Sequence, residues 1–199
     1  MSLAAPLAAP LQAYFDKGVH AYTQGHYEYA MDLLAFVVKQ APDATEARRY
    51  LRLATQRQHS QSPPSIPVRV ALMLLSVPVR CWLMLLGAQG QYRQAIPLYE
   101  RMLCLQPRSR WLLSHLAATL HRAGLEEATL LTYTELLNAH PNHLPALRQL
   151  ARLSMKRGDD LQARQCFERI FSVAPNDLEA QQGLRNLDAL GTIKKGFNA

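Results

Sequence analysis

The chain is poor in the residue patterns that catalysis uses. Its three cysteines, Cys81, Cys104 and Cys166, are odd in number and include no C-x-x-C pair, which leaves zinc and thiol-redox motifs without support. No phosphate-cradling glycine loop, nucleophile elbow or H-E-x-x-H occurs. The histidines are scattered: His140 and His143 flank Pro141, and His115 and His121 are six apart and do not share a helical face. Asp159, Asp160, Glu126 and Glu127 sit at expected helix starts, where acids complement the helix dipole. The expectation is a chain that is not an enzyme, with no cofactor and no metal. The start, Met1 to Pro6, lacks a basic region and a sustained apolar core, so no signal peptide is expected. Reduced, packed thiols suit a cytoplasmic setting.

What is present is a period. Pro107, Pro141 and Pro175 are spaced 34 and 34 apart, and Gly90, Gly124 and Gly158 each precede one of them by 17. Tyr99, Tyr133 and Phe167 lie eight before the prolines, and Gly25, Leu34 and Pro42 reproduce the offsets near the N-terminus. Between these marks apolar residues recur three and four apart, as in Leu113, Leu116, Ala117 and Leu120, then Leu130, Tyr133 and Leu137. Each unit reads as two helices, the first closed by glycine and the second by proline. Neither helix buries its stripe alone, so such units stack and offer surface to partners.

These marks resemble the tetratricopeptide repeat (TPR) family. Its paired small residues, twelve apart, correspond to Gly18 with Ala30 and Ala151 with Ala163. The runs from Gly25 to Ala30 and from Gly90 to Ala95 look like its turn into the second helix, while Thr129 and Leu83 depart from the small-residue places. The spans are 11–44, 76–109, 110–143 and 144–177, about two-thirds of the chain. The resemblance implies an all-α right-handed α-solenoid of about four TPR-like helix-turn-helix units with a C-terminal capping helix. The expected organisation is an N-terminal tail, 1–10, then a first unit with its following helix, 11–58. A Pro/Ser linker, 59–67, lets that unit move against an apolar helix and three units, 68–177. The capping helix, 178–190, uses Ala180, Leu184, Leu187 and Leu190, and a tail without a helical stripe, 191–199, completes the chain.

Net charge is +7, and seventeen of the 22 basic residues are arginine, a composition suited to carboxylate or phosphate partners. The resemblance places the first helix of each unit on a concave side. There Arg148, Arg152 and Lys156 form a row beside the packed Leu147, Leu150, Ala151 and Ser154. Trp111, Ser114, Ala118, His121 and Arg122 join them, as do Arg80 and Met84. The implied function is a protein–protein interaction module, as an adaptor, assembly factor or chaperone, for an acidic or partly apolar client. Family members that clamp a terminal carboxylate use lysine and asparagine where this chain has Phe15 and Val19. The first unit instead offers Gln12, Phe15, Val19 and Tyr22, an apolar alternative. Nucleic acid is a weaker reading, since Trp111 is the one stacking aromatic in the basic part of the groove.

The run Val70 to Ala88 is apolar apart from Ser76, Pro78 and Arg80. A central arginine costs roughly 2.5–3.5 kcal/mol on membrane insertion scales. The repeat register makes the run a packed helix, with Val79, Trp82, Leu83 and Leu86 inward and Arg80 hydrated. A contact with a second copy or partner, and a membrane-associated scaffold anchored here, are the alternatives. Leu72, Leu74 and Leu75 have no place in the repeat.

Overall fold

Glycine punctuates the chain where the sequence puts it. Gly25, Gly90, Gly124 and Gly158 hold φ between 73° and 84°, and nothing lies within 4 Å of where a Cβ would sit on any of them. The left-handed backbone, not crowding, is what requires glycine there. At Gly25 the following His26 N–H reaches back to the Ala21 carbonyl at 3.0 Å, while the Gly25 N–H bonds Tyr22. That pair of bonds satisfies carbonyls the helix would otherwise leave open. The second helices end at Gln40, Leu105, Ala139 and Val173, each two residues ahead of a repeat proline.

The computed structural model describes residues 7–61 and 66–197, with the side chains of 66–75 and 191–197 excepted. Every regular element among them is an α-helix: α1 (Ala9–Thr23), α2 (Tyr27–Gln40), α3 (Thr45–Gln61), α4 (Ile66–Ala88), α5 (Tyr92–Leu105), α6 (Arg110–Arg122), α7 (Glu126–Ala139), α8 (Leu144–Arg157), α9 (Asp160–Val173) and α10 (Leu178–Phe197). The fold is all-α and TPR-like. It divides into two compact units, Met1–Thr132 and Tyr133–Ala199.

In the first unit α2 packs on α1 and α3, and α5 packs on α2, α4 and α6. Ala30, Leu34 and Val37 of α2 are fully buried with Ala47 and Leu51 of α3. Leu113, Leu116, Ala117 and Leu120, the expected stripe of α6, are completely buried. The expected linker at 59–67 is mostly helix. His59, Ser60 and Gln61 complete α3, where the Ser60 hydroxyl donates to the Arg57 carbonyl and the His59 ring nitrogens face the Thr55 and Leu105 carbonyls. Residues 62–65 lie outside the described residues.

A buried charge cluster spans the irregular middle of this unit. Glu100 of α5 accepts from Arg48 Nε at 2.7 Å and from Arg52 Nη2, both on α3. All three side chains are at most 6% exposed. Arg48 also donates to the Pro42 carbonyl at 3.0 Å. The cluster joins α3, ahead of the expected linker, to α5 beyond it. Separating α3 from α5 would strand charges away from water, a state that costs far more than a surface contact.

Helix α4 runs through Pro78. Leu83 and Leu86 are buried as expected, but Trp82 is 55% and Val79 36% exposed. The packed face is narrower than the repeat register implied, with Ser76 joining the two leucines inside. The side chains of Leu72, Leu74 and Leu75 lie outside the described residues. No helix among the described residues is long and apolar enough to cross a membrane.

In the second unit α9 packs on α8 and α10. Ala151 and Ala163 are fully buried, as small residues at close helix contacts should be. In α10, Ala180 and Leu187 are buried, but Leu190 is 42% exposed. Gly183 supplies the contact instead, and a Cβ there would come within 2.5 Å of the Phe167 ring. The expected tail is also corrected, since α10 continues to Phe197.

Both close contacts set stability. Burial alone would push the Glu100 carboxyl up, but Arg52 and Arg48 together hold it below the usual carboxylate range. The stability Glu100 brings is thus present above its ordinary value of 4.5 and is lost as pH falls through the lowered one. Glu100→Gln leaves two buried guanidiniums without a counter-charge and should cost about 3–5 kcal/mol in urea unfolding at neutral pH. Gly183→Ala drives a methyl into the Phe167 ring and should destabilise the second unit by roughly 1–3 kcal/mol in the same measurement.

Candidate functional site

The candidate basic row is present but internally answered. Arg148 and Arg152, one turn apart on α8, both reach the start of α10. Arg148 Nη2 donates to Asp177 Oδ2 at 2.5 Å. Arg152 makes a two-bond fork with Glu179, at 2.6 and 2.9 Å. Asp177 is held below the usual carboxylate range, first by Arg148 and then by the Ala180 N–H that it caps. Like-charge repulsion along the row is the reason to expect an external anion, and two acids of the same unit relieve it. Lys156 is exposed on the same helix.

The sequence alone predicts that reversing both arginines to Glu spares stability, because neither belongs to the packed stripe. The geometry corrects this by placing the two new acids against Asp177 and Glu179. The Arg148→Glu/Arg152→Glu protein should therefore melt at a clearly lower temperature. A melting temperature equal to that of the unaltered chain would show the two contacts to be inconsequential.

The first unit holds the remaining basic candidates in a different environment. The Arg80 guanidinium lies 5.0 Å over the Trp111 ring, an attraction to the negative π-face. Trp111 stacks on His115 with centroids 4.2 Å apart, and its ring lies 6.2 Å from Tyr99. His115 Nδ1–H donates to the Trp111 carbonyl at 2.8 Å, fixing the imidazole one turn along α6. Burial pushes the Tyr99 phenol up, opposed by Thr119 and by the Arg122 charge. Arg80, Trp111, His115, Tyr99, Thr119 and Arg122 thus form one aromatic and cationic patch.

Arg80 differs from the buried and paired arginines. Its Nε is buried with no hydrogen-bond partner, and Nη2 has only a 3.5 Å contact to Gln106 Oε1. Among the described residues no carboxylate pairs with it. Arg122 is exposed, likewise without an ion pair among the described residues. Ser114 is half-buried and His121 exposed on α6, and Met84 is 57% exposed on α4. Tyr99 and His115 join the patch although neither is a candidate from sequence. The four-residue step from Trp111 to His115 is the signal that points to the latter.

The alternative apolar candidates gather around a residue that the sequence pattern does not single out. Tyr50 of α3 meets Phe15 and Tyr22 of α1 edge-on, each at 5.9 Å. Tyr22 also meets Tyr27 at 5.7 Å. Val19 is half-buried on α1, while Gln12 is exposed and donates to Asp16 at 2.9 Å.

A shallow depression lined by Gly90, Gln91, Tyr92, Arg93, Gln94 and Ala123 shows no nucleophile–base pair. No group of three or more His, Cys, Asp or Glu among the described residues could hold a metal ion. Burial pushes the Cys166 thiol up to about 11 and raises Cys104 as well, the behaviour of packed thiols rather than nucleophiles.

No family model and no curated protein matches the sequence. Solved structures do. The first TPR of Spaghetti (RPAP3), bound to the HSP90 peptide SRMEEVD, is 17% identical with a TM-score of 0.51, over 59% of this chain and 93% of that one. A tetratricopeptide repeat protein from Parabacteroides merdae is 18% identical with a TM-score of 0.49, over 91% and 60%. MamA is 14% identical with a TM-score of 0.49, over 89% and 86%. The chain has the tetratricopeptide repeat fold.

Proposed function

We propose that this TPR-fold chain is a non-catalytic protein–protein interaction module, an adaptor, assembly factor or chaperone. It binds an acidic client segment on the α4–α6 patch of its first unit. The observation that carries this is Arg80: a half-buried arginine whose guanidinium is seated on Trp111, with no carboxylate partner among the described residues. Arg48 and Arg52 share Glu100, and Arg148, Arg152 and Arg164 are paired with Asp177, Glu179 and Asp188. A client carboxylate would complete what Arg80 lacks, with Arg122 as a second charge and Trp111, Met84 and Ser114 as neighbouring contacts. Lys156, Arg148 and Arg152 are a secondary basic surface in this reading, already balanced by α10.

The peptide seen with the Spaghetti domain is acidic too, and that likeness makes peptide capture a natural use of the fold. The route differs, because Phe15 and Val19 occupy the places of the lysine and asparagine clamp. The ring cluster of Phe15, Tyr50 and Tyr22 favours a second reading, an apolar client segment held on the first repeat. A reducing, cytoplasmic setting fits three unpaired cysteines.

The test uses a fluorescein-labelled ten-residue peptide of alternating Glu and Leu, followed by anisotropy. Arg80→Gln with Arg122→Gln should weaken it roughly tenfold or more, the value of one lost charge-assisted hydrogen bond, with an unchanged circular dichroism spectrum. Arg152→Gln should leave the affinity within about twofold, as expected of an exposed ion pair away from the ligand. Loss with Phe15→Ala alone would move the working surface to the ring cluster. A steep salt dependence with single-stranded nucleic acid, and none with the peptide, would overturn the reading.

A further inference from the structure

Helix α4 carries a face that its own unit leaves uncovered. Val77, Met84 and Leu85 are 51%, 57% and 47% exposed, and Cys81 and Ala88 are exposed beside them. The steps from Val77 to Cys81, Met84 and Ala88 are four, three and four residues. That alternation is the seam along which one α-helix packs another. In the sequence it continues backward to Leu74 and Val70. Leu83 and Leu86, which hold α4 to its unit, lie off the seam and are buried. The ridge is therefore free while the helix stays anchored.

From this ridge we infer that α4 docks an amphipathic helix of a partner protein, one with an apolar three–four stripe flanked by acidic residues. A single exposed helix presents a convex line of side chains, which suits another helix. An extended strand would need a sheet edge to supply its hydrogen bonds. Charge selects the partner. No Asp or Glu occurs from Ile66 to Ala88, and Arg80 occupies the flanking position beside Val77 and Met84, where charges set the choice of partner helix. A second copy would bring another +7 chain and another acid-free helix to the same seam. A lipid surface favours a helix whose far face is rich in Lys and Arg, whereas the far face of α4 is Leu83, Leu86 and Ser76, buried in the unit.

The inference shares Arg80 with the proposed function and extends that reading to the form of the client. The apolar seam is independent of it. The experiment separates them through Cys81, the exposed thiol at the seam's centre, whose alkylation by N-ethylmaleimide is followed by mass spectrometry on the full chain. The probe is a 21-residue helical peptide with Leu at the seam positions and Glu at the flanks, compared with the same peptide carrying Lys at the flanks. At about ten times its Kd the Glu peptide should slow Cys81 alkylation about tenfold, as mass action requires, while the Lys peptide at equal concentration should leave the rate unchanged. Arg80→Glu should exchange the two preferences. Val77→Gln with Leu85→Gln, both outside the Arg80 site, should abolish protection by the Glu peptide and leave the short Glu/Leu peptide bound, which distinguishes loss of the seam from loss of the Arg80 site. Equal protection by both peptides on the unaltered protein would overturn the charge-selected partner. Cys81 protected without any peptide, together with a dimer in sedimentation equilibrium, would assign the seam to a second copy. Protection by phosphatidylserine vesicles with none by either peptide would assign it to lipid.

Discussion

The first unit depends on one carboxylate. Glu100 lies between Arg48 and Arg52 with all three buried, and this cluster ties α3 to α5 across the place where the repeat loses its period. A repeat stack ordinarily holds together through matched apolar stripes between neighbours. Here the distance from Pro42 to Pro107 is 65 residues, three short of two repeats, so the stripes cannot keep register throughout. The charge cluster supplies a directional link instead, and the Arg48 bond to Pro42 fixes the loop that closes the first repeat. Such a cluster brings little net stability over an apolar contact, but it tolerates no partial separation.

The same logic of matched charge sorts the basic residues into structural and available ones. The chain carries 22 basic and 15 acidic side chains, so acids are the scarcer partner. Glu100, Asp177, Glu179 and Asp188 are committed to arginines that secure helices. Arg80 is left beside an aromatic ring. Its position on α4 sets an arginine with no ion pair among the described residues between the Trp111 patch and an exposed apolar ridge.

Much of the backbone plan is legible in the sequence because local rules govern it. The four glycines with positive φ, the helices ending two residues before the repeat prolines and the buried stripe of α6 all follow from spacing. The ion pairs that link different helices are not legible, because each of them joins residues far apart in the chain: 29 residues between Arg148 and Asp177, 27 between Arg152 and Glu179. Asp177 and Glu179 read as ordinary acids at a helix start, which they also are. Trp82 reads as packed because the repeat register assigns a broad stripe to a first helix, and α4 buries a narrow one. Gly183 is invisible as a contact, since a glycine in a helical pattern gives no sign that a ring lies against it.

The most direct measurement is the NMR spectrum of the arginine Nε–H groups during titration with an acidic peptide. Each guanidinium reports its own partner. The account predicts that the Arg80 resonance moves first and furthest, that Arg122 follows, and that Arg48, Arg52, Arg148 and Arg152 stay in place. Movement of Arg148 and Arg152 at the lowest peptide concentrations, with Arg80 unchanged, would contradict it.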